Sequence, residues 1–360
     1  MKFKRHNIII LMIILSLSLF TISCTSEVGE TKTEETKGEE ASTLSRTEFL
    51  MDTVMTVKVY DHATEEIMDD VFFRIGEIED KMSATLEDSD VSEINKNAGL
   101  EAVEVDPETY FVLEKAKEYA QMSDGFYDPT IGPLVELWDV KASEKERDNI
   151  PGEEDIKNAQ VLIDYNDLEL LDENKVFLKE KGMMINLSSI AKGYAADEVK
   201  EVLKQHSIES AIIDLGGNVF AYGEKEGDPW RIGIQDPQQV TGTKLATVNI
   251  KDRSIVSSGS YERYFMYEGK RYHHILNPKT GAPSENELLG VTIVSDTSID
   301  GDALSTFIYV VGLEEGKRLI SEFEGVEAIF VTEDQVHVPQ RYEDEEIFID
   351  LSPDYELKLY

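Results

Sequence analysis

From residue 46 to the C terminus, segments with the two-residue repeat of strands and the 3.6-residue repeat of helices follow one another in no regular order. Met55, Val57 and Val59 alternate with polar residues, as a half-buried strand requires. Ile67, Val71, Ile75, Ile78 and Met82 then recur at helical spacing between Thr64 and Met82. A second helix is predicted with Asp106 as N-cap, Pro107 at its first position and a stop at Gly125. Gly132-Pro133 breaks the chain, Lys141–Asp155 reads as a charged surface loop, and Val161–Tyr165 and Val176–Leu178 read as short strands. Ala191–His206 is helical, with Ala195, Val199, Val202 and Leu203 on one face. A buried-type strand follows at Ala211–Ile213, then strands at Trp230–Ile234, Thr247–Ile250, Arg271–Leu276 and Leu289–Val294. Helices near Asp302–Val311 and Glu314–Phe323 precede a last strand at Ala328–Val331. Without regular strand–helix alternation or an internal repeat, the class expected is α+β rather than a doubly wound sheet. The absence of a Walker loop and of GxGxxG removes the two commonest nucleotide folds.

The lone cysteine, Cys24, permits no internal disulfide, so the fold rests on packing or metal; 41% hydrophobic residues suffice for a core. Basic residues at Lys2, Lys4 and Arg5 precede an apolar run from Ile8 to Phe20 and the tetrad Thr21-Ile22-Ser23-Cys24. That run is short for a membrane span but suits a secretory signal. It resembles a bacterial lipoprotein signal, which implies lipidation of Cys24, export and a lipid anchor to the membrane. Residues 1–23 are therefore expected to be the signal. Residues 24–45, rich in Thr, Glu, Ser and Gly, are expected to be a flexible acidic tether, and 46–360 one catalytic domain. A net charge of −38 argues against a nucleic-acid partner. It also means that an anionic ligand would need local neutralisation.

Four segments combine residues that could carry chemistry. In Asp124–Trp138, Phe126, Tyr127 and Asp128 at an imposed turn could hold a flat ring and its polar edge, or simply plug the core. In Asn186–Tyr194, small residues at a strand-to-helix turn allow close backbone approach, and Lys192 could meet a phosphate; the same residues could be plain caps. In Tyr272–Gly281, His273 and His274 on a strand point to opposite sides, so one can serve as an acid–base group and the other reads as a surface histidine. In Asp300–Thr306, a helix starting near Asp302 puts Asp302 and Thr306 on one face. These are hard oxygen donors suited to Mg²⁺, unless Asp302 is merely an N-cap.

Met51-Asp52-Thr53, Asp128–Trp138, Asn186–Asp197, Ala211–Asn218, His274–Pro283 and Gly301–Thr306 follow the order of one family's motifs. The chain resembles the FAD:protein FMN transferases, the ApbE lipoproteins, over about residues 46–335. The resemblance implies a single ApbE-like, T-fold-like domain that binds FAD and uses Mg²⁺. It implies transfer of FMN to a Thr or Ser hydroxyl of an exported or membrane flavoprotein, with release of AMP. It assigns Asp302, Thr306 and the Ser189 carbonyl to the metal. Met51 and Phe126-Tyr127-Asp128 match the flavin side, Asn186, Lys192 and Ile275 match further FAD contacts, and His274 matches a base for the acceptor hydroxyl. Asp214, Gly216 and Gly217 look like a turn packed against the cleft. Asn186 and Asn277 stand where the family often has Asp, Thr85 where relatives place a stacking aromatic, and Ser188 and Ser189 where glycines are usual. Two other readings stand beside transfer: an FAD pyrophosphatase giving FMN and AMP, and a non-catalytic flavin-binding lipoprotein.

Overall fold

Among the described residues, nine strands form one sheet whose spatial order is the order of the chain. They are β1 (Leu44–Leu50), β2 (Thr53–Val59), β3 (Ser210–Leu215), β4 (Asn218–Gly223), β5 (Arg253–Gly259), β6 (Gly290–Ser295), β7 (Glu327–Val331), β8 (Gln335–Val338) and β9 (Glu356–Leu359). Every neighbouring pair is antiparallel except β8–β9, which is parallel. The structure, a computed structural model, describes residues 43–141, 145–344 and 347–360. The expected signal, nearly all of the expected tether and Cys24 lie outside these residues. Among the described residues, no helix is long and apolar enough to cross a membrane.

Alternation along the strands gives the sheet two buried faces. On β7, Ala328 and Phe330 join the core beneath the helices, while Ile329 and Val331 join a second core on the other side. The helical layer holds α1 (Glu65–Met82), α2 (Pro107–Met122), α3 (Ala191–Gln205) and α4 (Ser298–Val311). The opposite face is covered by a three-stranded sheet of Trp230–Gln235, Lys244–Ile250 and Phe348–Ile349, whose Trp230, Ile234 and Val248 meet Ile255 and Val294. Helices packed over one mostly antiparallel sheet make the domain α+β, as expected.

Four local expectations are corrected. The body begins at β1, so Leu44 and Ser45 belong to a strand rather than the tether. Val161–Tyr165 is not a strand: Asp164 Oδ1 accepts the Asn166 N–H at 2.9 Å, and this Asx turn leads into the 3₁₀ turn Tyr165–Asp167, with the strand following at Leu168–Leu171. The charged stretch before Asp155 ends in a helix, Glu153–Gln160, whose acidic first turn suits the positive end of its dipole. The helix expected from Asp302 begins at Ser298, because Asp197 accepts the Ser298 and Ile299 N–H groups at 2.8 and 2.9 Å. Asp302 therefore sits inside the helix and is not its N-cap.

Candidate active site

Where β3 turns into β4, and where α3 and α4 begin, the helical layer leaves a cleft with two compartments. The narrow one, about 120 Å³, is lined by Phe126, Tyr127, Asp128, Ile275, Asp302 and Thr306, among others. The wide one, about 820 Å³, takes in Met51, Thr85, Ile232, Ile234 and Arg263. Asn186, Lys192, Gly216, Gly217, Glu262 and His274 line both and mark their junction.

Helices α3 and α4 approach closely enough that a Cβ on Gly193 would lie 2.3 Å from the Ser298 carbonyl. That contact brings the Gly193 N–H to Asp302 Oδ2 at 2.9 Å, and Lys192 Nζ lies 3.6 Å from Oδ1. With Gly193 committed to Asp302, the Ser189 carbonyl, which an added helical turn would have used, accepts no hydrogen bond among the described residues. The Ser189 hydroxyl bonds the Tyr127 Oη at 3.3 Å. Asp302 is only 4% exposed, and Thr306, one turn on, shares its compartment.

These donors are a carboxylate, a hydroxyl and an unclaimed carbonyl. Among the described residues no group of three His, Cys, Asp or Glu could hold a metal ion. A small set of hard oxygens that leaves most of the shell to water and phosphate fits Mg²⁺ rather than Zn²⁺ or Ca²⁺.

The two histidines separate as alternation demands, but neither lies on the surface. The expected strand breaks after Lys270–His273. His273 is buried; its Nε2 meets the Ser284 carbonyl at 2.9 Å, and its Nδ1 accepts the Ile275 N–H at 3.3 Å, so its role is structural. The expectation of a surface histidine is corrected accordingly. His274 faces the cleft. Its backbone N–H and Nδ1 both meet the Arg263 carbonyl, at 3.1 and 3.2 Å. An Nδ1–H bonded there leaves Nε2 as an acceptor. Burial, reinforced by Arg263, holds the imidazole neutral, with its pKa lowered to about 3.

The remaining candidates divide. Lys192 Nζ donates to the Ser188 carbonyl at 2.7 Å, so it is held in place at the junction. Asn186 Oδ1 accepts the Ser188 N–H at 3.0 Å, which leaves its amide nitrogen to donate. Both oxygens of Asp128 are used within its turn, Oδ1 by Thr130 and Oδ2 by the Tyr165 N–H at 3.0 Å, and burial raises its pKa. Met51 and the Phe126–Asp128 triplet, expected together on the flavin side, line different compartments. Met51 and Asp52 form the two-residue β1–β2 turn with φ of 49° and 58°, and the Met51 N–H is held by Glu79 at 2.8 Å. Asn277 does not line the cleft; its Oδ1 caps the Lys279 N–H at 2.9 Å, so its departure from Asp leaves the ligand's surroundings untouched. Ser188 and Ser189 have no positive φ, which explains why glycine is dispensable there. Gly216 and Gly217, both at positive φ, turn the chain against the cleft, and Asp214 Oδ1 fixes the Gly217 N–H at 3.0 Å.

Sequence reasoning missed Glu262, Arg263, Ser257 and Ser258, which follow or end β5 without any periodic signal. Glu262 lines both compartments and is exposed, with Lys192 and Arg263 as the cations that favour its charged form.

The relatives of this chain are named as transferases. A sequence description of the ApbE family matches residues 51–330. The chain is 36% identical over 311 residues to a protein of Treponema pallidum (strain Nichols) named FAD:protein FMN transferase, covering 81% of this chain and 85% of that one. It is 37% identical over 297 residues to a Klebsiella pneumoniae (strain 342) protein of the same name, covering 81% and 91%. Its fold is similar to the crystal structure of an ApbE protein from Thermotoga maritima, with a TM-score of 0.76 and 32% identity over 84% of this chain and 98% of that one. It is also similar to the flavin transferase ApbE from Vibrio cholerae, at TM-score 0.73 and 26% identity over 81% and 94%. The chain belongs to the ApbE family.

Proposed function

We propose that the chain transfers FMN from FAD to a Thr or Ser hydroxyl of an acceptor protein, with Mg²⁺, and releases AMP. The observation that carries this reading is the convergence of Asp302, Thr306 and the unclaimed Ser189 carbonyl on one narrow compartment. Against the acids of the cleft, only Lys192 and Arg263 among its described lining residues are basic, so a diphosphate there needs a cation.

Asp302, Thr306 and the Ser189 carbonyl would hold Mg²⁺. The ion supplies charge neutralisation for the diphosphate and its leaving group. The narrow compartment takes the diphosphate, and the wide one, with Met51 and Thr85, takes the flavin ring. Lys192 and the Asn186 amide orient phosphate oxygens, and Ile275 packs against the ligand. His274 Nε2 accepts the proton of the incoming hydroxyl, a contribution of about 10²–10⁴-fold for a placed base. An exported acceptor flavoprotein suits the lipoprotein-like N terminus, and we place the enzyme outside the cytoplasm, anchored through lipid on Cys24. Radiolabelled palmitate incorporation that survives Cys24→Ala would overturn the anchor.

Incubation with FAD, Mg²⁺ and a Thr-bearing acceptor domain tests the reaction. A covalent mass increase of one FMN on the acceptor supports it; FMN and AMP alone make the protein a pyrophosphatase, and unchanged FAD makes it a binding protein. Thr85, which offers no ring for the flavin to stack on, favours the hydrolytic reading as the second choice.

A further inference from the structure

Four large apolar side chains from three separate segments flank the opening of the wide compartment. Phe49 and Val54 are partners across β1 and β2 and line that compartment, yet they are 69% and 58% exposed. Leu86, 40% exposed, follows the lining residue Thr85, and Val240, 79% exposed, precedes the lining residues Thr241 and Gly242. None of the four packs into a hydrophobic core. Exposed apolar residues are ordinary singly, but a group of them beside a cleft marks a surface that binds another molecule.

The same rim is acidic. Asp52 and Glu262 line the compartment, Glu87 and Asp88 follow Leu86, and all four are exposed. Among the described residues none of these carboxylates has an ion pair, and Lys192 and Arg263 are the basic residues lining the compartment. A second copy of this chain, with a net charge of −38, is repelled by such a rim, and so is an anionic lipid surface. The occupant that fits presents apolar side chains flanked by Lys or Arg. Resting on the transferase reading, in which a protein hydroxyl must reach this cleft, we propose that the rim is the docking surface for the acceptor protein. The acceptor's face around its modified Thr or Ser carries those apolar and basic side chains. Apolar contacts hold the acceptor, and opposite charges speed its approach.

The test uses Leu86 and Val240, which do not themselves line the cleft, and a Thr-bearing acceptor domain at varied concentration. Labelling is followed by mass spectrometry and FAD affinity by flavin fluorescence. Leu86→Ser combined with Val240→Ser is expected to raise KM for the acceptor about tenfold, with kcat and FAD affinity unchanged. Glu87→Lys combined with Asp88→Lys is expected to raise it about tenfold at low salt and far less at high salt. Wild-type KM values in both double variants would overturn the docking surface alone. So would weakened FAD binding in the serine variant, which would give the rim to the nucleotide. A wild-type dimer in sedimentation that the serine variant dissociates would give the rim to a second copy and overturn the proposal. Failure of the wild type itself to label the acceptor would overturn the transferase reading and the docking surface with it.

Discussion

The Gly193 backbone N–H donates to Asp302 Oδ2 at 2.9 Å, so the first turn of α3 fixes the carboxylate carried by α4. One oxygen is thereby aimed while the other remains near Lys192. Asp302→Ala removes both the carboxylate and the acceptor of that N–H. We expect FMN transfer to fall by more than about 10²-fold while the far-ultraviolet circular dichroism spectrum stays native. Full activity at limiting Mg²⁺ would contradict the metal assignment.

Gly193→Ala puts a methyl 2.3 Å from the Ser298 carbonyl, a backbone atom that cannot swing aside. The helices must separate, at a cost of about 1–3 kcal/mol in urea unfolding. Because the same displacement moves the Gly193 N–H from Asp302, transfer should fall further than stability alone explains.

Thr85→Tyr adds a ring to the wide compartment beside Met51. A stacked aromatic contributes roughly 0.5–1.5 kcal/mol beyond its burial, or about 2- to 13-fold in affinity. Flavin fluorescence titration should show tighter FAD binding and a lower share of free FMN among the products. An unchanged Kd would place the flavin elsewhere.

Glu108 ties α2 to the other helices through Arg74, Lys81 at 2.6 Å and Tyr194 at 3.1 Å. Burial alone would raise its pKa, but the two cations overcome this and lower it from 4.5 to about 2. A carboxylate depressed on folding stabilises the native state above its unfolded pKa, and this contribution fades as pH falls from 4.5 towards 2. Glu108→Gln should lose about 1–3 kcal/mol at pH 7 and show a shallower acid limb between those values in chemical denaturation. Equal acid limbs in the two proteins would argue against it.

That Asp302 and Thr306 share one face and one compartment was legible because an i, i+4 pair on a helix leaves a spacing that survives an error of one turn in where the helix starts. β1 was not, since its Arg46, Thr47 and Glu48 break any apolar alternation on an edge strand with one open face. His273 and His274 were separable by alternation, yet burial of both depends on the strand break and on Arg263, which neighbouring residues do not announce. Glu262 had no spacing to read: its position at the junction is set by β5, α3 and α4 meeting in space. The separation of Met51 from the Phe126–Asp128 triplet is likewise a product of tertiary packing.

A sheet whose strands lie side by side in chain order still places severe demands on synthesis. Between β2 and β3 about 150 residues must be made before the hairpin at the N terminus gains its next neighbour. Throughout that interval the inner edge of β2 stands open to any other unpaired strand, including one from another nascent chain. The cleft is completed later still, since α4 closes its last wall. Ligand capture therefore becomes a late checkpoint of maturation: a chain stalled before Ser298 can have most of its sheet and none of its chemistry.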